Sequence, residues 1–358
     1  MTIPQKILII RLSALGDILH CLPLLEPLHV AFPGCQIDWV VGNAGKALVE
    51  NHPLIHTLHV LPSVKLSNHK AVQTCLTQIR AEQYDWVIDT QGLLKSALIG
   101  LYSGAPVRVG LKNSREGATL FYTNAIETGP LHAPLKSVYS HYLELLQGMS
   151  VSVPEEPSFP LRNIPNTTVQ SIQARYPQLN SKTTPIIALA PKTNWQSKDW
   201  PSEYWETLIK KLYDETSFQL FLLGSPQDTA YLESLREAIN NTNVSQRIHL
   251  PNFNLEELQA FMPFVDLIIG GDSFPLHLAG ATQKARIIGI YGPTSSQRTF
   301  PPYFDKTRSQ ILTSPENLPC QPCHKKTCRI ETLDCLTMIQ PERVFLEIQN
   351  ALRTVSPL

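Results

Sequence analysis

The stretch KILIIRLSALGD, Lys6 to Asp17, decides the fold. Ile7 to Ile10 form an apolar run, Arg11-Leu12-Ser13 leave it, and Gly16-Asp17 lead into a helical pattern from Ile18 to Val30. A short apolar run bounded by turn signals reads as a buried strand, followed here by a tight turn and a helix. In an open α/β sheet, ligands bind in the crevice outside the carboxyl ends of the strands. Asp17 stands at the mouth of such a crevice. The structural alternative is a carboxylate that caps its helix and complements the helix dipole. Position alone does not separate the two.

Outward from this stretch, strand-like and helix-like segments alternate. Strands are predicted at 36–42, 57–61, 85–92 and 107–110, and helices at 44–50, 70–82, 93–102 and 138–147. Residues 153–165 are proline-rich and read as a linker. After a helix at 169–176 the alternation restarts. Strands fall at 185–191, 218–224, 265–273 and 285–294, and helices at 202–215, 228–240, 255–262, 276–281 and 341–353. Strands separated by helices imply βαβ units and a mainly parallel sheet. The expected fold is α/β: two Rossmann-like domains facing a cleft, residues 1–160 and 161–340. The C-terminal segment 341–358 is set apart as a helix that could pack back toward the N-terminal domain.

Composition narrows the classes. The 358 residues are 43% hydrophobic, enough for large cores. Thirty basic and 30 acidic residues cancel, so no general basic field points to nucleic acid. Arg11 and Asp17 interrupt the first apolar run, and no small-residue cleavage site follows, which argues against a signal peptide. No stretch approaches the roughly 18 apolar residues of a spanning helix. The expectation is a cytoplasmic protein, with peripheral membrane contact left open.

Several chemistries lack their motifs. There is no Gly-x-Gly-x-x-Gly, Walker lysine, Gly-x-Ser-x-Gly or Asp-x-Asp pattern. Phosphate handling by backbone amides, lysine, histidine and hydroxyls is favoured instead. GGDSFPLHLAG, Gly270 to Gly280, ends a strand with Asp272 and Ser273 at the turn and His277 about one helical turn later. Such a turn can present N–H groups, a hydroxyl and an imidazole to an anion. The alternative is a helix cap with a core histidine. PKTNWQSKDWP, Pro191 to Pro201, follows a strand and carries Lys192, Thr193, Asn194 and Lys198, able to neutralise phosphate or merely to stay solvated. His52, His56 and His59 have metal-like spacings, but Pro53 interrupts them. Cys320, Cys323, Cys328 and Cys335 could close a structural zinc site, hold an iron–sulfur cluster, pair as disulfides or pack as thiols. Cys21, Cys35 and Cys75 read as core residues.

Taken in order, RLSALGDILHCLPLL, DTQGLLKSALI, NSREGATLFY, SKDWPSEYW, GGDSFPLHLAG and IYGPT make the chain resemble a known family. It is similar to the bacterial lipopolysaccharide heptosyltransferases of glycosyltransferase family 9. These are inverting, ADP-heptose-using enzymes of the two-domain GT-B type. The nearer likeness is to the type that adds the first heptose to the Kdo-containing inner core. The resemblance implies a metal-independent glycosyltransferase with Asp17 as general base and Ser13 and Gly16 shaping the acceptor-side loop. It implies that Lys198 holds the donor diphosphate, with Thr193, Asn194, Asp272, Ser273, His277 and Thr294 on the donor side. Lys95, Ser96, Arg115 and Glu116 match the acceptor side, where basic groups meet Kdo carboxylates and lipid phosphates. The implied partners are an ADP-sugar donor and a lipid-linked or lipopolysaccharide core acceptor, with inner-membrane contact left open and no nucleic acid. No cofactor is implied for catalysis, and zinc at the cysteines would be structural. One departure is Phe274-Pro275, where the family often has a glycine two positions after the turn aspartate. A related transferase with another donor or envelope glycan is the nearest alternative. A non-catalytic nucleotide- or glycan-binding protein is the alternative of a different class.

Overall fold

The computed structural model describes residues 3–63, 66–128, 136–181, 184–215, 217–239, 247–300 and 306–353. The chain divides into two units, Met1–Asn163 and Ile164–Leu358.

The first unit is built on six parallel strands: β1 (Lys6–Ile10), β2 (Gln36–Gly42), β3 (Leu58–Leu61), β4 (Trp86–Asp89), β5 (Val107–Leu111) and β6 (Asn124–Ile126). Their order is β3-β2-β1-β4-β5-β6. Ile7, Leu8, Ile9 and Ile10 have no exposed surface, as a central strand covered on both faces requires. The chain steps from β1 to β2 to β3, then returns to lay β4 on the other side of β1. Ile10 is thereby paired with both Val40 and Asp89 at the carboxyl end.

The second unit repeats the plan with β7 (Ile186–Ala190), β8 (Gln219–Leu222), β9 (Ile248–His249), β10 (Leu267–Gly271), β11 (Arg286–Ile290) and β12 (Ser309–Leu312). The order is β12-β11-β10-β7-β8-β9, again parallel throughout. Here the reversal falls between β7 and β10. Each sheet thus has one place where connections leave in opposite directions, and in such sheets that place forms the ligand crevice.

Three expectations need correction. The helix expected over 18–30 is two helices, Leu15–Cys21 and Leu25–Ala31, joined by a 3-10 turn at Leu22–Leu24. Pro23 and Pro27 have no N–H to continue the first helix and are tolerated only in the first turns of the new segments. The short edge strands β6, β9 and β12 carry no buried apolar run and were not foreseen. The C-terminal helix Pro341–Arg353, set apart above as a segment of its own, belongs to the second unit. Its Val344, Phe345 and Ile348 enter the same buried cluster as Trp205, Leu208 and Leu212 of the helix Ser202–Glu215. Trp200 Nε1 donates to Ile339 O at 2.9 Å just before it.

The proline-rich stretch is not a free tether. Phe159 and Arg162 are buried, His52 Nε2 bonds Pro160 O at 2.8 Å, and Arg162 Nη1 donates to Ala47 O at 3.2 Å, all within the first unit. If the C-terminal helix is part of the second core, Phe345→Ala removes a buried ring and lowers unfolding free energy by about 3–5 kcal/mol. Urea denaturation would read this as a lower midpoint. A midpoint equal to that of the parent protein would remove the helix from the core.

Candidate functional site

In the first unit, the loop after β1 is held from β4. Gln91 Oε1 accepts the N–H groups of Leu12 (3.0 Å) and Ser13 (3.2 Å). Arg11 is buried, its Nη1 donates to Thr90 O, and its guanidinium lies 5.4 Å from the Tyr142 ring centroid. Arg11 Nη2 reaches Asp17 Oδ2 at 2.7 Å, with side-chain exposures of 7% and 39%. Asp17 also accepts the Ala14 N–H at 3.2 Å, so it caps the helix Leu15–Cys21 as well as facing solvent. Burial pushes its carboxyl up, but Arg11, then His20 and the Ala14 N–H, pull harder, and its pKa lies below the ordinary aspartate value. Asp17 is therefore ionised at neutral pH.

Asp89, which the sequence reading passed over, ends β4 and is buried. It accepts from Gln91 N (2.9 Å), Gly92 N (3.1 Å) and Tyr122 Oη (2.8 Å). Burial raises its pKa against those hydrogen bonds. Enclosed in this way, Asp89 shapes the Asp89–Gly92 turn instead of meeting substrate.

The acceptor-side set is brought together in part. Ser13, Lys95, Arg115 and Glu116 are exposed and Gly16 is half-buried in the first turn of its helix. Arg115 N donates to Gly92 O at 2.9 Å, which joins the loops after β4 and β5. Glu116 Oε2 accepts the Leu94 N–H at 3.2 Å, at the start of the helix Leu94–Ser103. Ser96 corrects its expectation: it is wholly buried, and its hydroxyl bonds the Leu93 N–H (3.1 Å) and carbonyl (2.8 Å). It shapes the helix start and is closed to an acceptor. The three histidines do not form one set: His52 bonds Pro160 O, whereas His56 and His59 both lie beside Asp38, at 3.4 Å and 3.9 Å, and His59 also bonds the Tyr84 hydroxyl, which donates to Asp38.

In the second unit, the loops after β7 and β10 meet. Lys198 Nζ donates to Asp272 O at 2.8 Å and lies 3.2 Å from Asp272 Oδ2. His277 Nε2 lies 3.1 Å from Asp272 Oδ1. Asp272 is buried; burial raises its carboxyl pKa, but His277 and Lys198 reverse this and hold it far below the ordinary value. A Cβ on Gly271 would stand 3.1 Å from Lys198 O and 3.2 Å from Thr193 Cγ2, so glycine lets the two loops close.

Ser273 precedes the helix Phe274–Thr282 but makes no side-chain cap, and its buried Oγ has no hydrogen-bond partner among the described residues. The same is true of the buried Thr294 Oγ1 after β11. Ser273 directly follows Asp272, the partner of Lys198, and buried hydroxyls left unpartnered are what a polar ligand would complete. Thr193 is committed elsewhere: its hydroxyl lies 2.8 Å from Trp195 O and 2.9 Å from Asp199 Oδ1, holding its own loop. Asn194 is exposed.

The cysteine-rich loop packs on these same turns. Ser197 Oγ donates to Lys325 O, Gln321 Nε2 donates to Gly292 O at 2.9 Å, and His324 N donates to Pro293 O at 2.8 Å. Cys320, Cys323, Cys328 and Cys335 are free thiols lining one cavity of about 170 Å³. Burial, then the other three sulfurs, pushes Cys335 up to about 11, whereas backbone N–H groups led by Leu333 pull Cys328 down. Among the described residues, no group of three or more His, Cys, Asp or Glu side chains is arranged to hold a metal ion.

A family model described as glycosyltransferase family 9 (heptosyltransferase) matches residues 73–334. The chain is 26% identical over 378 residues to lipopolysaccharide heptosyltransferase 1 of Pseudomonas aeruginosa, covering 97% of this chain and 98% of that protein. It is 31% identical over 308 residues to lipopolysaccharide heptosyltransferase 1 of Campylobacter coli, with 82% and 86% covered. The solved structure of E. coli heptosyltransferase WaaC with ADP-2-deoxy-2-fluoro heptose superposes with a TM-score of 0.72 at 21% identity, over 96% of this chain and 99% of that one, a likeness of fold.

The Arg11–Asp17 pair makes a signed prediction. Asp17 has a folded pKa below its unfolded one, so its favourable contribution is complete above the unfolded value and is lost as pH falls through the folded one. Arg11→Met deletes the largest lowering influence. The Asp17 carboxyl should then titrate at higher pH, as followed by its carboxyl carbon-13 resonance. An unmoved titration would mean that Arg11 does not set this carboxylate.

Proposed function

The chain belongs to glycosyltransferase family 9, the heptosyltransferases, and from that premise we propose an inverting glycosyltransferase that moves heptose from ADP-heptose to a Kdo-type sugar of the lipopolysaccharide inner core. The names of the two curated relatives supply the transferred sugar and the glycan. The observation that carries the reading is the Lys198–Asp272–His277 cluster at the reversal point of the second sheet, with the hydroxyls of Ser273, next to Asp272, and of Thr294, after β11, unpartnered among the described residues. The second unit is the nucleotide-sugar half and the first unit the acceptor half.

The chemistry follows from charge. As the bond from the anomeric carbon to ADP breaks, negative charge grows on the leaving diphosphate. Lys198 has one Nζ proton beyond its two contacts with Asp272, and the Ser273 and Thr294 hydroxyls can donate alongside it. Asp272 holds the lysine and imidazole in place, and its own charge is cancelled by them. The acceptor hydroxyl attacks the opposite face of the sugar and loses its proton to Asp17. With its lowered pKa, Asp17 is a weak base that is always ready in the charged form. It suits a late proton transfer, when the attacking oxygen has become acidic. Lys95 and Arg115 would meet carboxylates or phosphates of the acceptor. No metal is needed for these steps. A structural zinc at the four cysteines stays a separate part of the proposal, supported by the thiol set alone. Elemental analysis of the purified protein tests it, and absence of bound metal would end it.

Incubation with ADP-heptose and a Kdo2-lipid A acceptor should release ADP and yield a product heavier by one heptose in mass spectrometry. Neither signal would mean that this substrate pair is wrong, and a donor panel scored by thermal shift would then separate the related transferases. Asp17→Ala should lower kcat by about 10²–10⁴-fold with donor affinity nearly unchanged. Turnover retained in that variant would sink the base assignment.

A further inference from the structure

The helix Leu94–Ser103 carries an apolar face that the described residues leave open. Leu94, Leu98 and Leu101 recur at helical spacing on one side, with Tyr102 beside them, each between 38% and 43% exposed. The 3-10 turn Ala118–Phe121 packs against this helix, and its Leu120 is 86% exposed. Half of the large apolar side chains exposed among the described residues lie in this one region, so this is a patch and not scatter. Cations surround it. Lys95 is on the same helix, Arg115 is on the adjoining loop, and Arg80 packs over the Tyr102 ring at 5.7 Å while Nη1 donates to Tyr102 O at 2.8 Å. Among the described residues none of these three cations has an acidic partner. The neighbouring Glu116 carboxylate accepts the Leu94 N–H.

We propose that this face docks the protein on the surface of an anionic lipid bilayer. Leu98, Leu101, Tyr102 and Leu120 enter the headgroup layer, and Arg80, Lys95 and Arg115 meet lipid phosphates. Long basic side chains can keep their charge at the phosphates while their stems lie along apolar surface. A ten-residue helix is far too short to span, which leaves interfacial seating. A second copy of the chain fits less well. A twofold interface pairs a patch with itself, so the cations would face like charges. From the proposed function this takes only that the acceptor is a lipid glycan.

The test is co-sedimentation of the full chain with vesicles of phosphatidylethanolamine and phosphatidylglycerol, without donor or acceptor. Its outcome is therefore independent of whether heptose is transferred. The parent protein should bind these vesicles, more weakly in high salt, and bind phosphatidylcholine vesicles less. The triple variant Leu98→Gln, Leu101→Gln, Leu120→Gln should lower the bound fraction by about fivefold or more. Its melting temperature and its turnover on a de-acylated, water-soluble acceptor should be unchanged. Binding by the variant equal to the parent would overturn the proposal. So would absence of vesicle binding, or a parent dimer in sedimentation that the substitutions dissociate.

Discussion

The reversal of strand order beside β1 and again beside β7 is the constraint on which the rest depends. Where β4 is laid next to β1, and β10 next to β7, the chain connections leave in opposite directions and the loops part at the carboxyl ends. Arg11, Asp17 and the Asp89–Gly92 turn sit at the first reversal, and Lys198, Asp272 and Ser273 at the second. Thr294 follows the next strand, β11, whose Ile290 pairs with Gly271. The central strands β1, β7 and β10 are almost wholly apolar and buried. The sheet interiors therefore serve as rigid supports, and the polar chemistry is confined to the residues one to eight positions past their ends.

The two carboxylates at these ends are both ionised but are tied differently. Asp17 shares one cation with the surroundings and stays 39% exposed, so an oxygen can still reach it. Asp272 is enclosed between an ammonium and an imidazole and has no such freedom. Exposure, more than proton affinity, distinguishes the group that can take a proton from the group that positions others. Asp89 makes the same point from the other side. Its raised pKa would recommend it as a base, but its oxygens are occupied by two backbone N–H groups and the Tyr122 hydroxyl. Perturbed proton affinity identifies a candidate, and access decides it.

The central strands were legible because a strand buried on both faces must be an unbroken apolar run, as in Ile7–Ile10, Ile186–Ala190 and Leu267–Gly271. The edges were not. Asn124–Ile126, Ile248–His249 and Ser309–Leu312 are two to four residues long and half-buried or exposed at most positions, so they look like loop. Asp17, Lys198, Asp272 and His277 were found through motif order. The contacts that hold them were missed, because Gln91 and Thr90 act from 70 or more residues away. One signal was available: Arg11 directly continues a buried apolar run, and a guanidinium there must find partners. The own-loop bonds of Ser96 and Thr193 were unread for a related reason. A hydroxyl at a turn is as ready to bond its own backbone as a ligand, and only the fold shows which it does.

Phe274-Pro275 now has a physical account. These residues open the helix Phe274–Thr282, where the first N–H groups have no partner inside the helix. Proline in that first turn removes a donor that the helix does not use, so the fold loses nothing, while an anion bound at this helix end would find one amide fewer. Ser273 stands just before this turn. Its φ of −142° and ψ of 160° leave it outside the helix, and its hydroxyl makes no cap although it sits at the capping position. Because the Ser273 hydroxyl makes no such backbone bond and has no partner among the described residues, it is available to a ligand.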